Sequence, residues 1–247
     1  MTAPKPKRVL IVPDTHAPWH NRLAWDLMIK VAKDFKPNVI VCLGDLIDLY
    51  SVSSYNRNPN RPRNVEYEVE IANSLLRELE SLGARERYFI AGNHEWRLER
   101  YLTERAPELF NIVKIEELLQ LRQHEWNYTP YKGFVRLGKM VFTHDLGKSG
   151  RYAVHSAVTD AQHSIVIGHL HRLCYLIEGD VFGQPRLSFC PGWLGDATKA
   201  DYMHELRAKR DWATGFAVSY WHPDGIHNIV PVPIVHGTAF LNGKVYR

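Results

Sequence analysis

Cysteine is scarce in this sequence, and the three that occur (Cys42, Cys174 and Cys190 among 247 residues) are scattered. No CxxC pair exists, which excludes a thiolate zinc knuckle and a dithiol redox motif. Cys42 and Cys190 lie inside apolar runs, where a free thiol behaves as a small buried hydrophobe, so a reducing compartment is expected. No apolar run approaches the ~20 residues of a membrane span. The Pro/Lys-rich start, Met1 to Arg8, has no apolar signal region. No Pro/Gly/Ser-rich linker, low-complexity tract or internal repeat divides the chain. The expectation is one domain over residues 1–247, cytoplasmic and with no membrane partner; oligomeric state is not encoded in any pattern. The charge excess is small, net +4, and only weakly favours a polyanionic partner.

Apolar periodicity organises the rest. Arg8–Val12, Val39–Leu43 and Arg87–Ala91 are short apolar runs with the look of buried strands. Between them, Arg22–Phe35 and Glu66–Leu82 repeat apolar residues at helical spacing. The first stops before Pro37 and the second before Gly83. Glu95–Arg105 and Ile115–Arg122 also read as helical. Beyond Tyr131 the pattern turns to short strands: Phe134–Leu137, Lys139–Thr143, Ser164–Ile167, Cys174–Glu178, Arg186–Cys190, Gly215–Trp221 and Asn228–Pro231. A βαβαβ first half implies a parallel sheet, whose ligand site lies beyond the strand C-termini.

Polar clusters stand at those ends. Asp14-Thr15-His16 follows the first strand, Gly44-Asp45 with Asp48 the second, and Gly92-Asn93-His94-Glu95 the third. Later strands end at Thr143-His144-Asp145 and Gly168-His169-Leu170-His171. In one sheet edge these clusters converge. Carboxylates, an amide oxygen and neutral imidazoles form a donor set suited to Mn²⁺, Fe or Zn²⁺ rather than Ca²⁺, which takes oxygen alone. The glycines before Asp45, Asn93 and His169 let the chain turn sharply and bring backbone close to the site. His169 and His171, two apart in an extended segment, would point to one side.

These five motifs, in this order, resemble the calcineurin-like metallophosphoesterase superfamily: DxH at 14–16, GDxxD at 44–48, GNH[DE] at 92–95, a lone His144 and GHxH at 168–171. The resemblance runs from about Val9 to about Gly192. It implies an α/β fold, a four-layer α-β-β-α sandwich of two mixed sheets flanked by helices, with the second-half strands forming the second sheet. It also implies that Asp14, His16 and His171 hold one divalent ion, that Asn93, His144 and His169 hold another, and that Asp45 bridges them. Mn is the expected metal, with Fe, Zn, Ni or Co as alternatives. Such an ion pair, roughly 3.5–4 Å apart, clamps a phosphoryl group and activates water. By the same resemblance His94 protonates the leaving oxygen and Asp48 orients it, with a helix N-cap as the competing reading of Asp48. Glu95 and Asp145 read as hydrogen-bond acceptors or surface groups.

The family's protein phosphatases carry two phosphate-gripping arginines where this chain has Leu49 and Ala91. That argues against a protein phosphatase and, with the GHxH ending, toward phosphodiesterases and nucleases acting on nucleic acid or nucleotides. A phosphomonoesterase is the alternative, and a catalytically silent protein-binding scaffold a third reading. Candidate substrate contacts are Lys148, Arg97 and the basic excursion at about 49–64, where Arg57, Arg61 and Arg63 mix with Tyr50 and Tyr55, as in single-strand binders. For each, a solvated side chain is the competing reading. The Pro191–Gly195 turn and His20 are further sites near the same edge.

Overall fold

The computed structural model describes residues 5–55, 58, 60–61, 64–179, 181–199 and 211–247. Its first half alternates strand and helix: β1 (Lys7–Val12), α1 (Arg22–Phe35), β2 (Val39–Cys42), α2 (Val65–Glu80), β3 (Glu86–Ile90), α3 (Trp96–Arg105), the single turn α4 (Ile115–Leu118) and β4 (Asn127–Thr129). The second half holds β5 (Val135–Leu137), β6 (Met140–Thr143), α5 (Ala153–Ala161), β7 (Ser164–Ile167), β8 (Leu173–Gly179), β9 (Pro185–Pro191), β10 (Gly215–Trp221), β11 (His227–Pro233), β12 (Ala239–Leu241) and β13 (Lys244–Tyr246).

Local chemistry fixes the helix ends. The Asn21 side chain accepts from the Ala24 N–H to open α1, and Asn64 does the same from Tyr67 for α2. Lys36, left-handed at φ 53°, closes α1 ahead of Pro37.

Strands β1 to β4 run parallel, and β10 and β11 add antiparallel on the free edge of β1, giving the order β11-β10-β1-β2-β3-β4. The second sheet runs β5-β6-β7-β9-β8. Period-2 alternation explains the layering. Val9, Ile11, Val39 and Val41 face the second sheet's Phe142, Val166 and Phe189, while Leu10, Val12, Ile40 and Cys42 pack under α1 and α2. Ile165, Ile167 and Cys190 pack against α5 on the far side. The layers are therefore helix, sheet, sheet, helix, the architecture expected from the motifs.

Some expectations are corrected. The second-half strands do not all build the second sheet, because β10 and β11 return to the first. The helix expected over Ile115–Arg122 stops at Leu118, and Gln120 takes a left-handed φ of 52°. Helix α5 and strands β4, β12 and β13 add to the elements read from periodicity. Among the described residues no helix is long and apolar enough to cross a membrane.

Candidate metal centre and active site

Each candidate ligand sits just past the C-terminal end of a strand, and the sandwich brings those ends together. Asp14, His16, Asp45 and His171 form one buried group whose donor atoms lie within 4.8 Å of one another; Asp45, His144 and His169 form a second; His16, Asp48 and His94 form a third. Asp45 belongs to two of the three. The backbone makes sharp turns to achieve this, with left-handed φ at His16 (57°), Asp45 (49°), His169 (64°) and His171 (54°). His169 and His171 therefore do not share an extended segment. Their left-handed turns send His171 to the Asp14 group and His169 to the His144 group, with the His169 N–H donating to Asp14 Oδ2 at 2.9 Å.

His144 is aimed by what holds its other nitrogen. His144 Nδ1 donates to the Leu43 carbonyl at 2.7 Å, which leaves Nε2 facing Asn93 Oδ1 at 3.0 Å and Asp45 Oδ2 at 3.4 Å. His16 Nε2, His171 Nε2 and Asp14 Oδ2 converge, with 3.0 Å from His171 to each of the other two. Trp193, in the Pro191–Gly195 turn, stacks on His171 at 4.7 Å between ring centroids, and Trp212 meets the same ring edge-on at 4.4 Å.

Electrostatics fits a cation. Burial alone would push Asp14, Asp45 and Asp48 up, but the neighbouring histidines outweigh it and hold all three below the ordinary carboxylate range. Burial pushes His171 down to about 4, so its ring is neutral and free to coordinate. Three buried anions facing imidazole nitrogens form a donor set that draws positive charge, which in the metal-free fold a charged His144 supplies in part. The residues present fit divalent metal.

Of the two readings of Glu95, acceptor and surface group, the structure shows the acceptor. Fully buried, its carboxylate accepts the backbone N–H groups of Asp45 (2.8 Å), Leu46 (2.9 Å), Ile47 (3.3 Å) and Gly92 (2.7 Å). It thus staples the loop after β2 to the loop after β3. Burial and the nearby Asp45 charge push its carboxyl up to about 7.

Asp48 and His94 lie together. His94 Nδ1 is 3.0 Å from the Asp48 carbonyl oxygen and 3.6 Å from its carboxylate, and the His94 backbone N–H donates to Asp45 Oδ1 at 2.8 Å. Arg97 is buried against the same pair. Lys148 pairs with Asp160 on α5. Arg61 stacks over Trp19 at 4.3 Å and Tyr50 at 5.0 Å and donates to the Lys199 carbonyl; Arg57 and Arg63 lie outside the described residues. His20 packs against Trp25 and belongs to none of the three groups. Asp145 accepts from Gly147 and pairs with Lys132. Leu49 and Ala91 are buried apolar groups.

The family model described as calcineurin-like phosphoesterase matches residues 7–187. The chain is 26% identical to the gene 54 protein of Mycobacterium phage L5, covering 98% of this chain and 99% of that one. It is 25% identical to the gene 54 protein of Mycobacterium phage D29, over the same shares. Among solved structures, vacuolar protein sorting 29 from Cryptosporidium parvum superposes with a TM-score of 0.50 at 14% identity, covering 98% of this chain and 95% of that one.

Proposed function

The chain belongs to the calcineurin-like phosphoesterases, hydrolases that act on phosphate esters, and from that premise we propose that it cleaves phosphodiester bonds of nucleic acid or nucleotides at a centre of two divalent ions. The observation that carries this reading is the buried Asp45 carboxylate, common to the Asp14–His16–His171 group and the His144–His169 group. Asp14, His16 and His171 would hold one ion, Asn93, His144 and His169 the other, and Asp45 would bridge. The mixed oxygen and nitrogen donors suit Mn²⁺ first, with Fe, Zn, Ni or Co as alternatives. When bound, such a pair supplies an activated water and neutralises charge on the transferring phosphoryl group.

The protein's own groups do the remaining work. His94 would give a proton to the leaving oxygen, a step worth about 10²–10⁴-fold. Its backbone is tied to Asp45 and its ring lies against Asp48, so acid and bridging ligand keep a fixed relation. Two features favour a diester. Leu49 and Ala91 put buried apolar groups at the two positions where the family's protein phosphatases grip a monoester's phosphate with arginine, and the basic excursion bearing Arg57, Arg61 and Arg63 suits an extended anion.

Initial rates in Mn²⁺ on bis-p-nitrophenyl phosphate and p-nitrophenyl phosphate test the reading, followed by single- and double-stranded DNA and RNA. The diester is expected to turn over faster. Faster monoester hydrolysis overturns the diester assignment in favour of a phosphomonoesterase, and no turnover of any ester leaves the scaffold reading.

A further inference from the structure

Arg97 lies one helical turn beyond His94, at the start of α3, and is only 7% exposed. A buried guanidinium needs acceptors, and this one finds them in the His94–Asp48 pair. Nη1 donates to the Asp48 carboxylate at 2.7 Å and to the Asp48 carbonyl at 2.8 Å. Nη2 stands 2.9 Å from His94 Nε2. Arginine carries no acceptor and stays protonated, so Nη2 donates and His94 Nε2 accepts. The ring proton then belongs on Nδ1, which faces the Asp48 carbonyl at 3.0 Å.

Neutralising a buried Asp48 would need only the first arm of this fork. The second arm, to Nε2, is what charge balance leaves unexplained. A direct substrate contact would require the guanidinium to abandon a buried ion pair. A planar five-donor group can span carboxylate and imidazole together, and a lysine ammonium, a compact point charge, does so poorly.

We propose that Arg97 is a positioning residue for the His94–Asp48 pair: Nη1 anchors Asp48, and Nη2 fixes the ring plane and the neutral Nδ1–H tautomer to which His94 returns once its charged form has given up the Nε2 proton, Nε2 lying 3.7 Å from Asp45 Oδ2. This rests on the proposed acid role of His94 for its kinetic consequence, and on geometry alone for its structural one.

The experiment uses the metal-loaded protein with Arg97→Met, Arg97→Lys, His94→Ala and the His94/Arg97 double variant, on aryl phosphodiesters with good and poor leaving groups. Arg97→Met is expected to lower kcat by about 10²-fold on the poorest leaving group and less on the best, with KM and metal content unchanged. Arg97→Lys should restore little, and Arg97→Met should cost less than about threefold further once His94 is gone. A raised KM with kcat kept, a loss equal across leaving groups, full rescue by Lys, or an undiminished loss in the His94→Ala background would each overturn the proposal. Should His94→Ala itself show no leaving-group dependence, the acid role fails, and the ¹⁵N imidazole spectrum decides Arg97 separately. The His94 Nε2 and Nδ1 signals must move in Arg97→Met, and unchanged signals would overturn the positioning role.

Discussion

The Gly92 α-carbon faces the Asp45 carboxylate so closely that a β-carbon there would fall inside the contact radius of Asp45 Oδ1, 2.6 Å from Asp45 N and 2.8 Å from His144 Cε1. Glycine is required at this position for close approach, since the displaced atoms would belong to the proposed bridging carboxylate, at the oxygen that accepts the His94 N–H, and to a ring proposed to hold the second ion. Gly92→Ala is expected to lower bound metal well below wild type and to remove most activity. Its fold should survive, with a stability loss of about 1–3 kcal/mol for an overpacked site. Metal analysis and thermal unfolding on the same preparation check it; wild-type metal content would refute the crowding argument.

Metal removal tests the centre directly. Chelation should abolish hydrolysis and Mn²⁺ should restore it, with binding close to about two ions per chain. Asp45→Asn should be the most damaging single ligand change, because both groups share that carboxylate. A chelated preparation, free of metal by elemental analysis yet fully active, would end the dinuclear reading.

Loading should also release protons. Burial opposes a charge on His144, but the Asp45 charge and hydrogen bond, with Asp14, outweigh it and push the metal-free ring up to about 10. The raised pKa means that the metal-free fold gains stability from charged His144 below its ordinary value of about 6.5, and loses it as pH rises through about 10. A metal ion needs the neutral ring. Apparent affinity should therefore climb with pH, up to about tenfold per unit, and level off near 10. Calorimetric titration of Mn²⁺ at pH 7.5 in buffers of different ionisation enthalpy should report about one proton released. A buffer-independent heat would show that His144 is neutral before metal arrives.

Much of this site is legible in sequence because its residues follow strands, and strand ends are where a parallel sheet gathers chemistry. What escapes is set by tertiary contacts. The left-handed backbone at His169 and His171 has no local signature, since a two-residue spacing reads equally as a strand. Arg97 reads from sequence as a substrate contact or a solvated side chain, and Glu95 as an acceptor or a surface group, until burial turns one toward Asp48 and the other toward four backbone N–H groups. Strand β10 is buried along Gly215–Ser219, so its pattern cannot tell which sheet it joins. Helix α5 opens at Tyr152 without a side-chain cap, and its β-branched Val154, Val158 and Thr159 weaken the helical signal.

The basic excursion between Tyr50 and Asn64 carries the last prediction. Arg61 spends its cation on Trp19 and Tyr50, and the Asn58 N–H donates to the Tyr50 hydroxyl at 2.6 Å, so this part of the excursion is braced against the body of the protein. If Arg57, Arg61 and Arg63 meet a nucleic-acid backbone, each contact releases counterions and binding falls steeply with salt, by about 0.7–0.9 in log–log slope per phosphate neutralised. Replacing all three by Ala should weaken nucleic-acid binding and flatten that slope by roughly two to three. Hydrolysis of a small chromogenic diester should hardly change, because bond cleavage depends on groups at the strand ends. Unaltered nucleic-acid binding by the triple variant would make the excursion a solvated loop. Loss of small-diester hydrolysis along with binding would instead make it a brace over the centre, with the Arg61 stack on Trp19, three residues from His16, as the physical link.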